Sequence, residues 1–389
     1  MSHRRVLFVL FAVLLASAAG APALGASRGA PVRMNETQVI GTHNSYHREI
    51  SPLEQATYDQ LIRKPGDYAQ FLAYSHASLT NQFEQQDVRG VELDLFPDPQ
   101  GGLYSEPLVR RKLGLGPLPD PAWLQPGIKT FHVADLDYNT TCVRFVSCLE
   151  QVRDWSKDHP DHVPLLIMLE LKQSIPEVVQ GGGAASPPWD GGALDSLDAE
   201  IRSVFGEEDM ITPDDVRRRG LTLEESVLRR GWPTLRRSRG KVVFLLDNEP
   251  LAGSKPNPIR EAYTAGRPSL QGRVIFTNAV PGSPDAAFLK RNDPLGANTQ
   301  QIQDLVRAGY LVRTRSDLPL QTVTSGDTTQ LDAALSSGAQ LVSTDFPQVG
   351  MSARYDSDFV ARLPGGVPVR CNPVNALTSC RNDRLEPRP

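Results

Sequence analysis

The sequence predicts an α/β fold, a single-domain (β/α)₈ TIM-type barrel with long loops at the carboxyl-terminal face of its strands. Short apolar segments alternate with helical or irregular segments, as in parallel strands joined by crossover connections. Eight such segments occur, and eight parallel strands close naturally into a barrel. Barrels of this kind routinely reach the 389 residues of this chain as one domain. The predicted strands cover residues 37–42, 90–95, 129–133, 163–171, 241–247, 273–277, 310–314 and 340–344.

The segments between the strands differ in character. Apolar side chains recur at every third position between residues 143 and 158, which predicts a helix that ends before Pro160. Residues 96–127 are rich in proline and glycine and show no clear helix, so we expect a loop that forms a wall of the site. The glycine-rich stretch 180–192 has the composition of a flexible linker, which is either a mobile lid or membrane-touching loop, or a disordered insertion without a task. Further helices are predicted at residues 193–205, 213–219 and 223–230.

The N-terminal residues predict export. Arg4 and Arg5 precede an apolar run over residues 6–15 and then small residues, which is the layout of a secretory signal peptide. The run is shorter than the roughly 20 residues that span a membrane, and no later stretch is long enough. We therefore expect a secreted protein, extracellular or periplasmic, that is a monomer without a transmembrane segment. The predicted units are a signal peptide at residues 1–26, a catalytic barrel at 27–363 and a C-terminal strap at 364–389.

The cysteines and the charge narrow the functional classes. Four cysteines allow three pairings, and proximity favours Cys142 with Cys148 and Cys371 with Cys380. None has the CxxC spacing of a zinc site, so disulfides are the preferred interpretation. The formal net charge is -4, and cationic and anionic residues are interspersed. This distribution argues against nucleic acid as a partner.

Polar residues interrupt the first four apolar segments at or near their ends. The carboxyl ends of the strands meet at the mouth of a barrel, where the active sites of such barrels lie. A buried polar group without a partner costs a few kcal/mol, so these residues need one another or a metal ion. Glu92 and Asp94 are two residues apart and point to the same face of their strand. The six residues are His43, Asn44, Glu92, Asp94, His132 and Glu170.

These residue types predict a metal-assisted reaction at a phosphate. Three carboxylates and one amide oxygen form a hard ligand set that suits Ca²⁺ or Mg²⁺. The two histidines either join the metal or, better for chemistry, stay free on opposite sides of a phosphate. One would then assist proton transfer or stabilise the equatorial oxygens, and the other would protonate the leaving oxygen. Of the other histidines, His76, His159 and His162 are predicted to be surface residues, and His47 is kept as a candidate.

The order of these motifs resembles a known family. Gly41-Thr-His-Asn-Ser-Tyr46, Glu92-Leu-Asp94, Phe131-His132 and Leu169-Glu170 are similar to the catalytic half of phosphoinositide-specific phospholipases C. The calcium-dependent enzymes secreted by bacteria are the most similar. The resemblance covers the first half of the mature chain strongly and the second half only by its strand rhythm.

The resemblance implies a role for each matching position. In the family, the inositol 2-hydroxyl attacks the phosphodiester of a phospholipid at a membrane surface, diacylglycerol leaves and a cyclic inositol phosphate forms. By this resemblance, His43 and His132 are the catalytic pair, while Ca²⁺ binds to Asn44, Glu92, Asp94 and Glu170. Substrate-binding candidates near the same rim are Lys172, Asp247 and Arg313.

Two other functions remain open from the sequence. Glycerophosphodiester phosphodiesterases and sphingomyelinases D use the same barrel with similar motifs, and Ser343-Thr-Asp-Phe-Pro347 is similar to the closing strand of the former. The adjacent pair His43-Asn44, together with Glu170, favours phospholipase C. A secreted, non-catalytic lipid-binding protein is the third possibility, but all six polar positions are intact.

Overall fold

The structure is a computed structural model that describes residues 31–249 and 257–387. The chain from residue 31 onward forms one compact unit. Its centre is a nearly closed barrel of eight parallel strands, which confirms the predicted fold class. The predicted signal peptide lies outside the described residues. Within the described ranges, every helix is too short or too polar to cross a bilayer.

The strands run in the order β6-β5-β4-β2-β1-β9-β8-β7 around the barrel. The two end strands meet through one parallel bridge, between Asn278 and Phe288. β3 pairs antiparallel with β2, and β10 pairs antiparallel with β1, so neither belongs to the parallel barrel. The strands are β1 Thr37–Thr42, β2 Gly90–Phe96, β3 Lys129–Thr130, β4 Leu165–Leu171, β5 Val242–Leu246, β6 Ile275–Thr277, β7 Phe288–Lys290, β8 Leu311–Arg315, β9 Leu341–Thr344 and β10 Val369–Cys371.

Helices occupy most connections between the strands, and they cover the outer face of the sheet. Several begin with the expected caps, because Ser51, Asp190 and Thr222 each accept a hydrogen bond from a backbone N–H of the first turn. The helices are α1 Pro52–Ile62, α2 Asp67–Phe71, α3 Leu79–Gln85, α4 Leu108–Leu113, α5 Phe145–Asp158, α6 Pro176–Gln180, α7 Gly191–Val204, α8 Pro213–Val216, α9 Leu223–Arg230, α10 Leu235–Ser238, α11 Pro258–Thr264, α12 Ala297–Ala308, α13 Gln321–Ser325 and α14 Thr329–Ser337.

The predicted number of barrel strands is confirmed, but one of the eight segments that were predicted to form them is not a barrel strand. Residues 129–133 do not form the third barrel strand, since only Lys129–Thr130 is extended and it pairs antiparallel with the end of β2. A parallel strand needs a crossover of a dozen or more residues, usually a helix, and the preceding connection contains no helix longer than the six residues of α4. The eighth barrel strand is β7, whose three residues are too few to show a periodic pattern.

Two glycines allow β1 and β2 to approach each other. Gly41 and Gly90 form the single register pair between these strands. A Cβ at Gly41 would lie 2.5 Å from Leu341 Cδ1, and a Cβ at Gly90 would lie 2.4 Å from the same atom. Glycine at both positions therefore lets the barrel close beside the strand that carries His43.

The C-terminal residues lie against the barrel as a strap. The disulfides join Cys142 to Cys148 and Cys371 to Cys380, so the pairing favoured by proximity is confirmed. Near the C-terminus, Glu386 accepts a hydrogen bond from Arg89 Nε at 2.8 Å and another from the backbone N–H of Val163 at 2.8 Å. These contacts fasten the strap to the N-terminal end of the barrel.

Candidate active site

His43 lies directly after β1 and is held by a carboxylate from the neighbouring strand. Its Nδ1 lies 2.9 Å from Asp345 Oδ1, and Arg315 donates to the other oxygen of Asp345 at 2.9 Å. Burial, followed by the charges of Arg315 and Arg313, holds the pKa of His43 well below its ordinary value. His43 is therefore neutral at pH 7. A carboxylate only accepts, so the remaining proton lies on Nδ1, and the unprotonated Nε2, which lies 3.6 Å from Glu92 Oε1, can act as a base.

His132 has a carboxylate partner of its own, in the loop that follows β3. Its Nδ1 lies 2.9 Å from Asp137 Oδ2, and the hydroxyl of Tyr68 donates to Asp137 Oδ1 at 3.2 Å. Burial lowers the pKa of His132 although Asp137 opposes this effect. The position of His132 was predicted to be the end of a barrel strand, which is wrong, but its side chain still reaches the mouth region and is 18% exposed.

His47 is a buried cation behind His132. Its Nε2 lies 2.9 Å from the same Asp137 Oδ2, and its Nδ1 lies 3.0 Å from the carbonyl oxygen of Tyr74. Both partners are pure acceptors, so both ring nitrogens carry protons. Burial alone would lower the pKa of His47, but Asp137 outweighs burial and raises it. Asp137 therefore lies between one charged and one neutral imidazole.

The prediction that His76 and His162 are surface residues was wrong, since both are almost fully buried. His76 Nε2 donates to the backbone oxygen of His43 at 2.9 Å, and burial lowers the pKa of His76 to about 4. The neutral ring of His76 thus supports the turn that carries His43. His162 contacts Ser156 at the far end of the barrel.

Three carboxylates converge at the mouth from adjacent parts of the sheet. Glu92 on β2, Glu170 on β4 and Asp247 after β5 each offer an oxygen within 4.8 Å of the others. Burial raises the pKa of Glu92 to about 7, with Arg313 opposing and with Asp247 and Glu170 adding to the rise. Hard oxygen ligands grouped in this way fit a divalent cation such as Ca²⁺.

Basic side chains neutralise this acidic cluster. Arg313 is only 1% exposed, and its Nη2 donates to Glu92 Oε2 at 2.9 Å and to Ser343 at 3.0 Å. Lys290 forms an ion pair with Asp247. Carboxylates this close repel one another. The positive charges of Arg313 and Lys290 offset this repulsion and stabilise the cluster.

Asp94 and Asn44 add oxygen atoms with few partners beside this cluster. Asp94 is fully buried, and Lys172 Nζ lies 3.2 Å from its Oδ2, but neither of its oxygens accepts a hydrogen bond of good geometry. Burial raises the pKa of Asp94 well above its ordinary value, although Lys172 opposes the rise. Asn44 donates through Nδ2 to Tyr74 at 3.2 Å, and its Oδ1 receives only a long 3.5 Å contact from Tyr46. These under-satisfied oxygens fit additional metal ligands.

The three residues that were predicted to bind substrate differ in how exposed their side chains are. Lys172 is 22% exposed and bridges Asp94 and Glu170, 3.2 Å from each. Arg313 was predicted to bind substrate, but its guanidinium is buried against Glu92 and Ser343. Asp247, also predicted to bind substrate, lies in the carboxylate cluster.

Sequence reasoning missed the two carboxylates that hold the histidines. Asp345 follows β9 in the Ser-Thr-Asp-Phe-Pro segment, and Asp137 is five residues after His132. Asp345 could have been found from the sequence, because an acidic residue directly after the last barrel strand is expected to lie at the mouth. The sequence carries no comparable signal for Asp137, because its loop is irregular.

Two carboxylate-bound histidines beside an acidic cluster at the mouth of a barrel define a phosphodiesterase type of site. A family model described as "Phosphoinositide phospholipase C, Ca2+-dependent" matches residues 32–373. The chain belongs to this family. It is an enzyme of the phosphoric diester hydrolase class, and the family match favours phospholipase C over the alternative functions left open by the sequence.

Several solved structures resemble this chain, and those of the Pseudomonas enzyme show the same fold. A calcium-dependent phosphoinositol-specific phospholipase C from Pseudomonas sp. matches with 17% identity and a TM-score of 0.52, covering 87% of this chain and 95% of that one. Its myo-inositol complex matches with 17% identity and a TM-score of 0.52, covering 88% and 96%. The Ca²⁺-dependent enzyme from Streptomyces antibioticus matches with 17% identity and a TM-score of 0.48, covering 84% and 98%. No curated protein matches the sequence.

Proposed function

We propose that the protein is a secreted, Ca²⁺-dependent phosphatidylinositol phospholipase C that releases diacylglycerol and a cyclic inositol phosphate. The observation that carries this proposal is the pairing of His43 with Asp345 and of His132 with Asp137 beside one carboxylate cluster. Two imidazoles with different surroundings can serve as base and acid in a single displacement at phosphorus.

In this mechanism, His43 is the base. Its free Nε2 takes the proton of the inositol 2-hydroxyl while that oxygen forms a bond to phosphorus. Asp345 stabilises the imidazolium that results, as carboxylate partners of catalytic histidines do. His132 protonates the glycerol oxygen as the bond between that oxygen and phosphorus breaks. The bound phosphate raises the pKa of His132 through its negative charge, which makes the proton available.

The acidic cluster is proposed to hold Ca²⁺. We infer that the ligands predicted from the sequence, Asn44, Glu92, Asp94 and Glu170, are joined by Asp247. A bound Ca²⁺ ion supplies charge that lowers the pKa of the attacking hydroxyl and offsets the charge developing on phosphorus. Lys172 is the proposed contact to the substrate phosphate, since its ammonium lies beside Glu170 and is accessible.

The surroundings of the mouth support a membrane-bound substrate. Apolar residues are exposed on the connections that follow the carboxyl ends of the strands, on the same face as the site. Exposed apolar side chains gathered on one face of a protein fit a protein or membrane contact. The two disulfides and the N-terminal sequence support export to an oxidising compartment. The most exposed of these residues are Leu53, Leu124, Val280, Leu318 and Val349.

The test is a product analysis. The purified protein is incubated with phosphatidylinositol, glycerophosphoinositol or sphingomyelin, each with Ca²⁺, with Mg²⁺ and with chelator, and the products are followed by phosphorus NMR. We expect a cyclic inositol phosphate from phosphatidylinositol in Ca²⁺. His43→Ala and His132→Ala should lose this activity at an unchanged melting temperature, with the partly exposed His159→Ala as the control. Release of choline or glycerol phosphate would contradict the proposal.

A further inference from the structure

Basic residues are concentrated in one part of the chain. Between residues 213 and 241 there are nine lysines and arginines and four acidic residues, whereas the whole chain carries a formal charge of -4. Positive and negative residues are therefore less evenly mixed in this segment than in the chain as a whole. This segment contains α8, α9 and α10 and leads into β5. A local excess of positive charge on an acidic protein points to an anionic ligand.

A cavity of about 170 Å³ lies in this basic segment. The fully buried Trp232 forms part of its wall, and the carboxylate of Asp215 is the single acidic group that lines it. This volume is several times the share of one water molecule in the liquid, about 30 Å³, so a phosphate group fits inside it. Four basic side chains line the cavity: Arg33, Arg218, Arg237 and Lys241.

The cationic groups of the cavity are not closely paired with carboxylates, although Arg33 attracts the carboxylate of Glu36. Within residues 31–249 and 257–387, none of the four basic side chains forms an ion pair within 4.0 Å. Lys241 donates only to the backbone oxygens of Glu208 and Met210, and Arg33 Nη1 donates to the backbone oxygen of Trp232. Asp215 accepts from the backbone N–H and the hydroxyl of Thr212 and thereby begins α8. Like charges in a concave wall repel one another, and an anion would relieve this repulsion.

The cavity lies at the opposite end of the barrel from the active site. Arg33 precedes β1 and forms a bridge with Thr234, and Lys241 immediately precedes β5. The catalytic residues follow the carboxyl ends of the same strands. If the mouth faces a membrane, which rests on the proposed function, the cavity faces the aqueous phase. Its ligand is then dissolved in water and does not come from the lipid layer that holds the substrate.

We propose that this cavity is a second binding site, for the phosphate group of a soluble phosphate ester or for inorganic phosphate. Arg218 and Arg237 supply the charge-assisted hydrogen bonds from the open side, and Arg33 and Lys241 supply positive charge from the inner wall. The water-soluble product of a phospholipase C reaction carries such a group.

The experiment measures binding separately from catalysis. Calorimetry in calcium-free buffer uses inorganic phosphate, inositol 1-phosphate and uncharged myo-inositol, with the full-length protein and with Arg218→Gln/Arg237→Gln. The matched control is Arg219→Gln/Arg236→Gln, which removes the same charge from neighbouring exposed arginines that do not line the cavity. Sedimentation with phosphatidylcholine vesicles, with and without phosphatidylglycerol, tests whether the cavity binds the phosphate of a lipid.

We expect inorganic phosphate to bind to the wild type and to the control, and myo-inositol not to bind. Loss of two charge-assisted contacts should weaken phosphate binding by about tenfold or more in Arg218→Gln/Arg237→Gln. Cleavage of phosphatidylinositol should be equal in all three proteins. Equal phosphate affinities, or no binding at about 10 mM phosphate, which would exclude a millimolar Kd, overturn the proposal. Loss of vesicle binding alone would also overturn it in favour of a lipid contact.

Discussion

His43 and Asp345 are separated by 302 positions in the sequence, and a 2.9 Å contact joins Nδ1 of the histidine to Oδ1 of the aspartate. The contact exists because β1 and β9 are parallel neighbours, with Thr42 paired to Thr344. The residues that follow the paired positions therefore emerge side by side. One carboxylate fixes the ring orientation and the tautomer of the proposed base.

The contact between His43 and Asp345 predicts the effect of removing the negative charge of Asp345. Asp345→Asn should lower kcat on phosphatidylinositol by roughly 100-fold or more, because the imidazolium formed in the reaction loses its stabilising partner. Asp304→Asn, at an exposed position on α12, is the control. Circular dichroism melting checks that the variant is folded, since Arg315 also loses its partner. A kcat close to that of the wild type in a folded variant would remove Asp345 from the mechanism.

We expect His47 to act through Asp137 as a positioning residue for His132. The cationic ring of His47 lowers the pKa of His132, and both rings contact the same oxygen of Asp137. His47→Gln should therefore raise the pKa of His132 and move the limb of the pH profile that belongs to His132 to higher pH. The measurement is kcat/KM between pH 5 and 9.

A purely structural role for His47 gives a different result. Loss of packing alone would lower the melting temperature and leave the pH profile in place. His162→Gln is the matched control, because it removes another buried histidine at the far end of the barrel. An unshifted profile in His47→Gln would contradict the positioning role.

The extent to which the site can be predicted depends on how each residue is placed. Asn44 follows β1, and Glu92 and Glu170 lie on β2 and β4, so the direction of these apolar strands brings them to the mouth. Asp137 could not be found in this way, since it lies in an irregular loop whose shape depends on tertiary contacts with Tyr68 and His47.

For the strands of the fold, too, success of the prediction depended on how each element is formed. Long buried strands such as β4 have a continuous apolar pattern and were predicted nearly to their ends. β7 has three residues, and its extended form depends on pairing with β8. The segment at residues 129–133 has the composition of a strand, but its direction follows from the connection before it, which sequence periodicity does not reveal.

The proposed metal ligands can be separated by binding measurements. The Ca²⁺-dependent rise in melting temperature gives an apparent affinity without any catalysis. Glu170→Gln and Asp247→Asn should each weaken Ca²⁺ binding by about tenfold or more, because each removes a carboxylate from the cluster. Asp94→Asn tests the ligand predicted from the sequence. Normal Ca²⁺ affinity in Asp247→Asn would restrict the site to the residues predicted from the sequence.

Ca²⁺ binding should depend on pH because burial raises the pKa of Glu92 to about 7. The protonated form dominates below this pH and must lose its proton when the metal binds. Between pH 8 and pH 6, the ionised fraction of such a group falls about tenfold, and the Ca²⁺ affinity should fall by a similar factor. Calorimetry in two buffers of different ionisation enthalpy at pH 7 should detect proton release. Equal affinities at pH 6 and 8 would contradict this assignment.

The C-terminal strap predicts a stability effect that leaves the active site unchanged. Arg89 is 6% exposed and forms an ion pair with Glu386, whose other oxygen accepts from the backbone N–H of Val163. Glu386→Ala leaves a buried guanidinium without its carboxylate, which should reduce the free energy of unfolding by about 3 kcal/mol. Urea denaturation measures this loss, with the exposed Glu207→Ala as the control. The apparent Ca²⁺ affinity should not change, because the strap contacts the opposite end of the barrel; an unchanged denaturation midpoint would mean that the strap does not stabilise the fold.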